Sequence, residues 1–236
     1  MELFVRRLAA HSDLDAEERD AVLQLPVQLL EVRSNVDFVR LGEQIDHACL
    51  VAEGLVGKFG QTEDGRRQIV SVHIPGEMAD LSSLMMPQAA TALNSLSSTT
   101  ILRVAHKDLR ALGLRYPSIA TAFWRSSVLD GAIVAQWLVN VGRRDARARL
   151  AHLFCEMAVR YRLLDQSDGR RYTLPMTQEQ LGDALGLTSV HVNRTLQHLR
   201  EEKLLRVERS AVTIMDWKAL VRAGEFDTLY LQRPDL

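Results

Sequence analysis

At 236 residues, with 47% hydrophobic and 25% charged residues, the chain can form one large or two modest domains and is too apolar to be disordered. A formal net charge of −1 hides an uneven distribution: residues 1–142 hold 13 Lys and Arg against 17 Asp and Glu, whereas residues 143–236 hold 16 against 13. A polyanion is therefore expected on the C-terminal part, and no apolar run approaches the roughly 18–20 residues of a membrane span.

The opening stretch MELFVRRLAAHSDLDAEERD is acidic and amphipathic, without the apolar centre of a secretory signal. Residues 13–30 predict a short amphipathic helix, capped by Asp13 or Asp15 and broken near Pro26. From about residue 31 to 105 the texture changes to short Val, Ile and Leu runs. Turns at Leu41-Gly42-Glu43, Glu53-Gly54, Asp64-Gly65 and Pro75-Gly76-Glu77 punctuate them, which predicts a β domain of about eight strands. Its only cysteine is Cys49, and Cys155 lies in another apolar run. Without CxxC spacing, no cluster or metal site is predicted, and the pair suits a reducing cytoplasm.

A long helix is expected from Pro117 to about Arg144. Ile119, Phe123, Ser126, Ile133, Trp137 and Val141 form the row expected to meet a second copy of the chain, and Trp124, Val134 and Leu138 form a second row. Gly142–Asp145 is the expected hinge. Asp145 is the expected cap of a helix over 145–164, followed by a loop with Asp165, Ser167, Asp168 and Gly169.

The segment 177–199, TQEQLGDALGLTSVHVNRTLQHL, carries the strongest motif. Thr177 and Gln180 have capping-box spacing, Gly182 permits close approach of a second helix, Gly186 supplies a left-handed turn, and Thr188 caps the next helix. Leu181, Leu185, Leu187, Val192 and Leu196 lock the pair, which predicts a helix-turn-helix. On the second helix Ser189, Val190, Asn193 and Arg194 are the expected base contacts, with Arg194 suited to a bidentate bond to guanine. Thr177, Gln178, Thr188 and His191, with His198, are expected to position phosphates. KLLRVERSAVTIM predicts a two-stranded wing that brings Arg206 and Arg209 to the backbone.

Residues 20–215 resemble the Crp/Fnr family of transcription regulators, through the β-domain turns named above, the long helix ending at Asp145 and LTSVHVNRTLQHLREEKLL. The resemblance implies an α+β fold with an N-terminal double-stranded β-helix (a jelly-roll-like β-roll) as sensor over 1–116. It further implies a dimerisation helix and hinge over 117–144, and a winged helix-turn-helix over 145–236. It also implies a cytoplasmic homodimer that reads a palindromic operator in double-stranded DNA and can meet RNA polymerase. Arg194 falls at the family's base-reading arginine, whereas Val190 replaces its base-reading glutamate, so an altered half-site is expected.

The resemblance also bears on the effector. In the cyclic-AMP-binding members a glutamate holds the ribose and an Arg-Ser pair holds the phosphate. Those positions fall on Leu81 and on Ala89-Ala90, with Val134-Ala135 at the base contacts, and no Arg lies between 68 and 102. An anion would lose its charge-assisted bonds there, so cyclic AMP is not the expected effector. An apolar pocket of Leu81, Leu84, Met85, Met86, Ala89, Ala90, Leu93 and Val134 is expected instead. No cofactor is predicted; His47, His73 and His106 are haem ligands by residue type only. Two alternatives stay open. One is a constitutive DNA-binding regulator with a vestigial sensor. The other is a ligand-binding or enzymatic β domain with an incidental helical tail, which no nucleophile–base pair or phosphate loop supports.

Overall fold

The computed structural model describes residues 1–165 and 169–232; the loop residues Ser167 and Asp168 lie outside them. The chain packs as two compact units, one of residues 1–60 and 72–131, the other of 61–71 and 132–236. The division falls inside the long helix. No helix among the described residues is long and apolar enough to cross a membrane.

The first unit begins with α1 (Glu2–Ala9) and α2 (Ala16–Leu23). Asp15 caps α2 through a reciprocal capping box with Glu18, both bonds 2.9 Å. The expected helix over 13–30 is therefore shorter, and the chain enters a strand just beyond Pro26. Between Gln28 and Ala105 lie seven strands, one fewer than expected: β1 (Gln28–Val32), β2 (Asp37–Val39), β3 (His47–Glu53), β4 (Val56–Gln61), β5 (Arg67–His73, most of it counted with the second unit), β6 (Ala92–Ser95) and β7 (Thr99–Ala105). They form sheets of order β1-β7-β3 and β2-β6-β4-β5, so that β7 lies between β1 and β3, and β6 between β2 and β4.

Two apolar clusters hold this unit. Val39, Ile45, Cys49, Val51, Val56, Leu93 and Ile101 fill one. The other gathers Phe4, Val5 and Leu8 of α1 with Val22, Leu50, Leu81, Leu84, Leu109, Ile119 and Phe123. The N-terminal helix, which composition marked only as amphipathic, is thus part of the core. Ile119 and Phe123 enter this core from α4 (Pro117–Arg143), which follows α3 (His106–Arg115).

The second unit is built around α5 (Ala146–Asp165), whose residues 150–160 are all buried. Asp145 caps it, its Oδ1 accepting from the Ala148 N–H at 2.8 Å. Around it lie β8 (Arg171–Thr173), α6 (Gln178–Leu185), α7 (Ser189–Glu201), β9 (Leu205–Glu208), β10 (Ala211–Ile214), α8 (Trp217–Gly224) and a 3₁₀ turn, Leu229–Leu231. The three strands pair antiparallel in the order β8-β10-β9. Gly224 lets α8 press on α5: a Cβ there would stand 2.6 Å from the His152 backbone nitrogen.

A helix buried on every side needs partners for its polar groups, because an unpaired one forfeits its hydration. His152 Nδ1 lies 3.1 Å from the Gly224 carbonyl, and its ring stacks on Tyr230 at a centroid distance of 5.9 Å. Burial first, and then the charge of Arg144, lower its pKa from 6.5 to about 4. Between those values the unfolded chain binds a proton that the folded chain refuses. The stability associated with neutral His152 is therefore complete above pH 6.5 and is lost as pH falls toward 4, by up to about 3 kcal/mol. Urea unfolding followed from about pH 7 down to about pH 4.5 should show a shallower acid loss in His152→Gln than in the parent protein.

Candidate nucleic-acid interface

The geometry of α6 and α7 follows from side chains that cap and glycines that yield. Thr177 Oγ1 accepts from the Gln180 N–H at 3.1 Å, and Gln180 Oε1 accepts from the Thr177 N–H at 2.8 Å. Gly186 ends α6 with φ 63° and ψ 40°, a left-handed turn that favours glycine. At Gly182 a Cβ would stand 2.5 Å from the Leu187 carbonyl oxygen, so only glycine lets the turn fold back on α6. Thr188 then caps α7, its hydroxyl accepting from the His191 N–H at 3.3 Å.

The underside of α7 is fixed by Val192, Thr195 and Leu199, all buried. That leaves Ser189, Val190, His191, Asn193, Arg194, Gln197, His198 and Arg200 exposed. Val190 is 72% exposed, the one fully exposed apolar side chain on this face. The four expected base contacts therefore share one surface. Gln197 lies on it too, one turn beyond Asn193. Sequence reasoning stopped at Arg194, although four-residue periodicity carries the row onward.

Not every residue expected to position phosphate is uncommitted. The Thr177 and Thr188 hydroxyls cap their helices, and Asn193 Nδ2 donates to Gln178 Oε1 at 3.3 Å, bracing the two helices against each other. In the wing, Arg206 forms an ion pair with Glu208, and Arg209 stands at the tip with φ 55°. The scaffold beneath is tied by Arg149, whose Nη1 donates to the Leu185 carbonyl at 2.9 Å, and by Arg147, whose Nε donates to both carboxylate oxygens of Glu202 at 3.1 and 3.2 Å.

The expected row for a second copy is corrected. Ile119 and Ile133 are 0% and 4% exposed and Phe123 and Trp137 are equally enclosed, so the chain's own cores already use them. Ser126 and Val141 are half-buried. Apolar residues were placed inward by the strongest local partner, which periodicity along one helix does not reveal. The exposed stripe of α4 instead runs Trp124, Val128, Gly131, Ala135, Leu138 and Gly142, in alternating steps of four and three.

The sensor cavity is also different from the expected one. A space of about 70 Å³ is lined by Val39, Ile45, Met86, Ala89, Ala90 and Leu93, but equally by Lys58, Asp80, Ser82, Ser83, Gln88 and Thr91. Leu81 and Leu84 turn away from it into the core with α1. They stand three apart in a 3₁₀ turn, so they share a side and leave Ser82 and Ser83 on the other. Val134 belongs to the second unit, where it is 36% exposed. Asp80 Oδ1 accepts from the Cys49 N–H at 2.6 Å, and burial pushes its carboxyl pKa up. Burial likewise raises the thiols of Cys49 and Cys155, which makes both poor nucleophiles. Of the three histidines, His106 Nε2 pairs with Ser83 Oγ at 2.7 Å and His47 Nδ1 with Asp46 Oδ1 at 2.9 Å, while His73 is buried 3.8 Å from Glu77.

Replacing Gly182 with Ala is expected to force α6 and α7 apart. Thermal unfolding should fall by several degrees, for a loss of about 1–3 kcal/mol, together with any DNA binding.

Comparison with known proteins agrees with this geometry. The profile of the cyclic nucleotide-binding domain matches residues 29–116, and that of the Crp-like helix-turn-helix domain matches residues 148–223. The transcriptional activator protein Anr of Pseudomonas protegens is 22% identical over 203 residues, 86% of this chain and 83% of Anr. The transcriptional activator protein FnrL of Cereibacter sphaeroides is 23% identical over 231 residues, covering 95% of this chain and 91% of FnrL. Among solved structures, FixK2 of Bradyrhizobium japonicum superimposes with a TM-score of 0.73 at 22% identity, over 84% of this chain and 98% of FixK2. A CooA mutant of Carboxydothermus hydrogenoformans gives 0.67 at 14% identity, over 84% and 88%. A β-roll, a long helix and a capped helix-turn-helix with an exposed reading face, matched by both domain profiles, identify the chain as a DNA-binding transcription regulator of the Crp/Fnr family.

Proposed function

We propose that the chain works as a homodimer that reads a palindromic operator through α7 and does not answer to cyclic AMP. The observation that carries the reading is the exposed face of α7, where Arg194 stands beside Val190 and Asn193 above a fixed apolar underside. Arg194 is suited to guanine O6 and N7. Val190 offers a methyl surface suited to a thymine methyl, where a glutamate would accept from cytosine. Gln178, His191 and Arg209 surround this face as phosphate contacts.

The exposed stripe of α4 supports dimerisation. Trp124, Val128 and Leu138 are 67%, 72% and 74% exposed, and their heptad-like spacing is that of a helix packed against its own copy. The cavity supports the negative statement about cyclic AMP. At about 70 Å³ it is well below the roughly 300 Å³ of ordinary small-molecule sites, and it holds no arginine, its one basic residue, Lys58, sharing the space with the carboxyl group of Asp80. The same small volume favours, as a second reading, a regulator that binds DNA without an effector. Cytoplasmic location and contact with RNA polymerase follow from the regulator's role.

Selection of bound DNA from random duplexes should return a palindrome with a guanine in each half-site. Arg194→Ala should weaken that site by about 1–3 kcal/mol per half-site and leave weak non-specific binding in place. A specific complex unchanged by Arg194→Ala would overturn the reading. Leu138→Glu should shift the sedimenting species from dimer to monomer and abolish the specific complex; an unchanged dimer would exclude the α4 stripe as its interface.

A further inference from the structure

Glu156 is fully buried at the centre of α5, and its carboxylate is shared among three elements. Its Oε1 accepts from Arg160 Nη1 at 2.8 Å, one turn along the same helix. Its Oε2 accepts from Trp137 Nε1 at 2.9 Å, from the C-terminal half of α4, and from the Tyr230 hydroxyl at 2.8 Å, from the 3₁₀ turn beyond α8. The Tyr230 hydroxyl also lies 3.2 Å from His152 Nε2. A buried ion pair such as that with Arg160 is weak evidence of added stability, because apolar side chains replacing both partners can hold such a site as well. What the carboxylate supplies is direction: an indole N–H and a phenol O–H reach one oxygen only in one arrangement of α4, α5 and the closing turn.

The same helix carries the reading head. Arg147 and Arg149, on the first turn of α5, hold the end of α7 and the end of α6. Trp137 stands next to Leu138, which belongs to the outward stripe of α4. Helix α5 thus links Trp137, held by Glu156 at its middle, to the ends of α6 and α7, held by the two arginines on its first turn.

We propose that Glu156 is a positioning residue for operator recognition. With Trp137 and Tyr230 it fixes the angle between α4 and the reading head, and so sets the separation of the two α7 helices in the dimer. This rests on the homodimeric DNA-binding reading above. The half-site spacing that such a dimer accepts is a geometric property of its two recognition helices. Loosening the joint therefore changes which spacings bind, without changing which bases are read.

The test uses the full-length protein and three duplexes: the operator selected by the parent protein, and versions with one base pair added to or removed from its centre. The parent should prefer the native spacing by about tenfold or more. Trp137→Phe and Tyr230→Phe each delete one donor and leave an aromatic ring in place, the indole being reduced to phenyl in the first. Each should narrow that preference to about threefold or less while the guanine preference at each half-site is retained. Glu156→Gln keeps an acceptor for both donors and should retain more of the spacing preference than Glu156→Leu. A purely structural role would lower the active fraction and weaken all three duplexes alike. An unchanged spacing ratio in both ring variants therefore overturns the proposal, as does a parent protein indifferent to spacing. If the parent selects no sequence at all, the DNA-reading function falls with it. A parent with a spaced operator and variants that keep the spacing removes the positioning role alone.

Discussion

A helix enclosed on all sides must satisfy its polar side chains from protein, since no water remains to do so. In α5 that condition applies to eleven consecutive buried residues, among them His152, Glu156 and Arg160 at intervals of four. They lie along one stripe, and two of them reach other elements: His152 meets α8 at the Gly224 carbonyl, and Glu156 meets α4 through Trp137 and the closing turn through Tyr230. The reading head is therefore organised from the middle outward. The surface of α7 is as well placed as α5 is well satisfied.

Within that frame the helix-turn-helix is almost wholly local. Two caps, one left-handed glycine and one glycine without room for a Cβ determine the crossing, and three buried residues hold the second helix down. The outcome is a helix whose apolar and polar faces are cleanly separated, with Val190 as the exception.

Such local chemistry explains what could be read without coordinates. The capping box at Thr177, the turn at Gly186, the cap at Thr188 and the cap at Asp145 depend on residues within four positions of each other, so their letters are sufficient. The exposed set Ser189, Val190, Asn193 and Arg194 followed from the same short range. What failed was what depends on distant partners. Ile133 and Trp137 have the right spacing for a dimer row, but their burial is decided elsewhere in the chain, and for Trp137 by Glu156, 19 residues on. Leu81 and Leu84 looked like a pocket wall because nothing near them in sequence shows that α1 lies behind them. Tyr230 carries no pattern at all. It is one phenol in a short tail, and only the carboxylate it meets gives it a role.

The distance along the chain between Glu156 and Tyr230, 74 residues, has a temporal meaning as well. Short-range structure such as α6–α7 can form as soon as its own residues are free, whereas contacts of high sequence separation must wait for the intervening chain. During synthesis the carboxylate of Glu156 is made long before the hydroxyl that completes its shell. A nascent chain thus carries the residues of both helices before the contact that ties α5 to the closing turn can form. The shell around Glu156 can close only after residue 230 has left the ribosome.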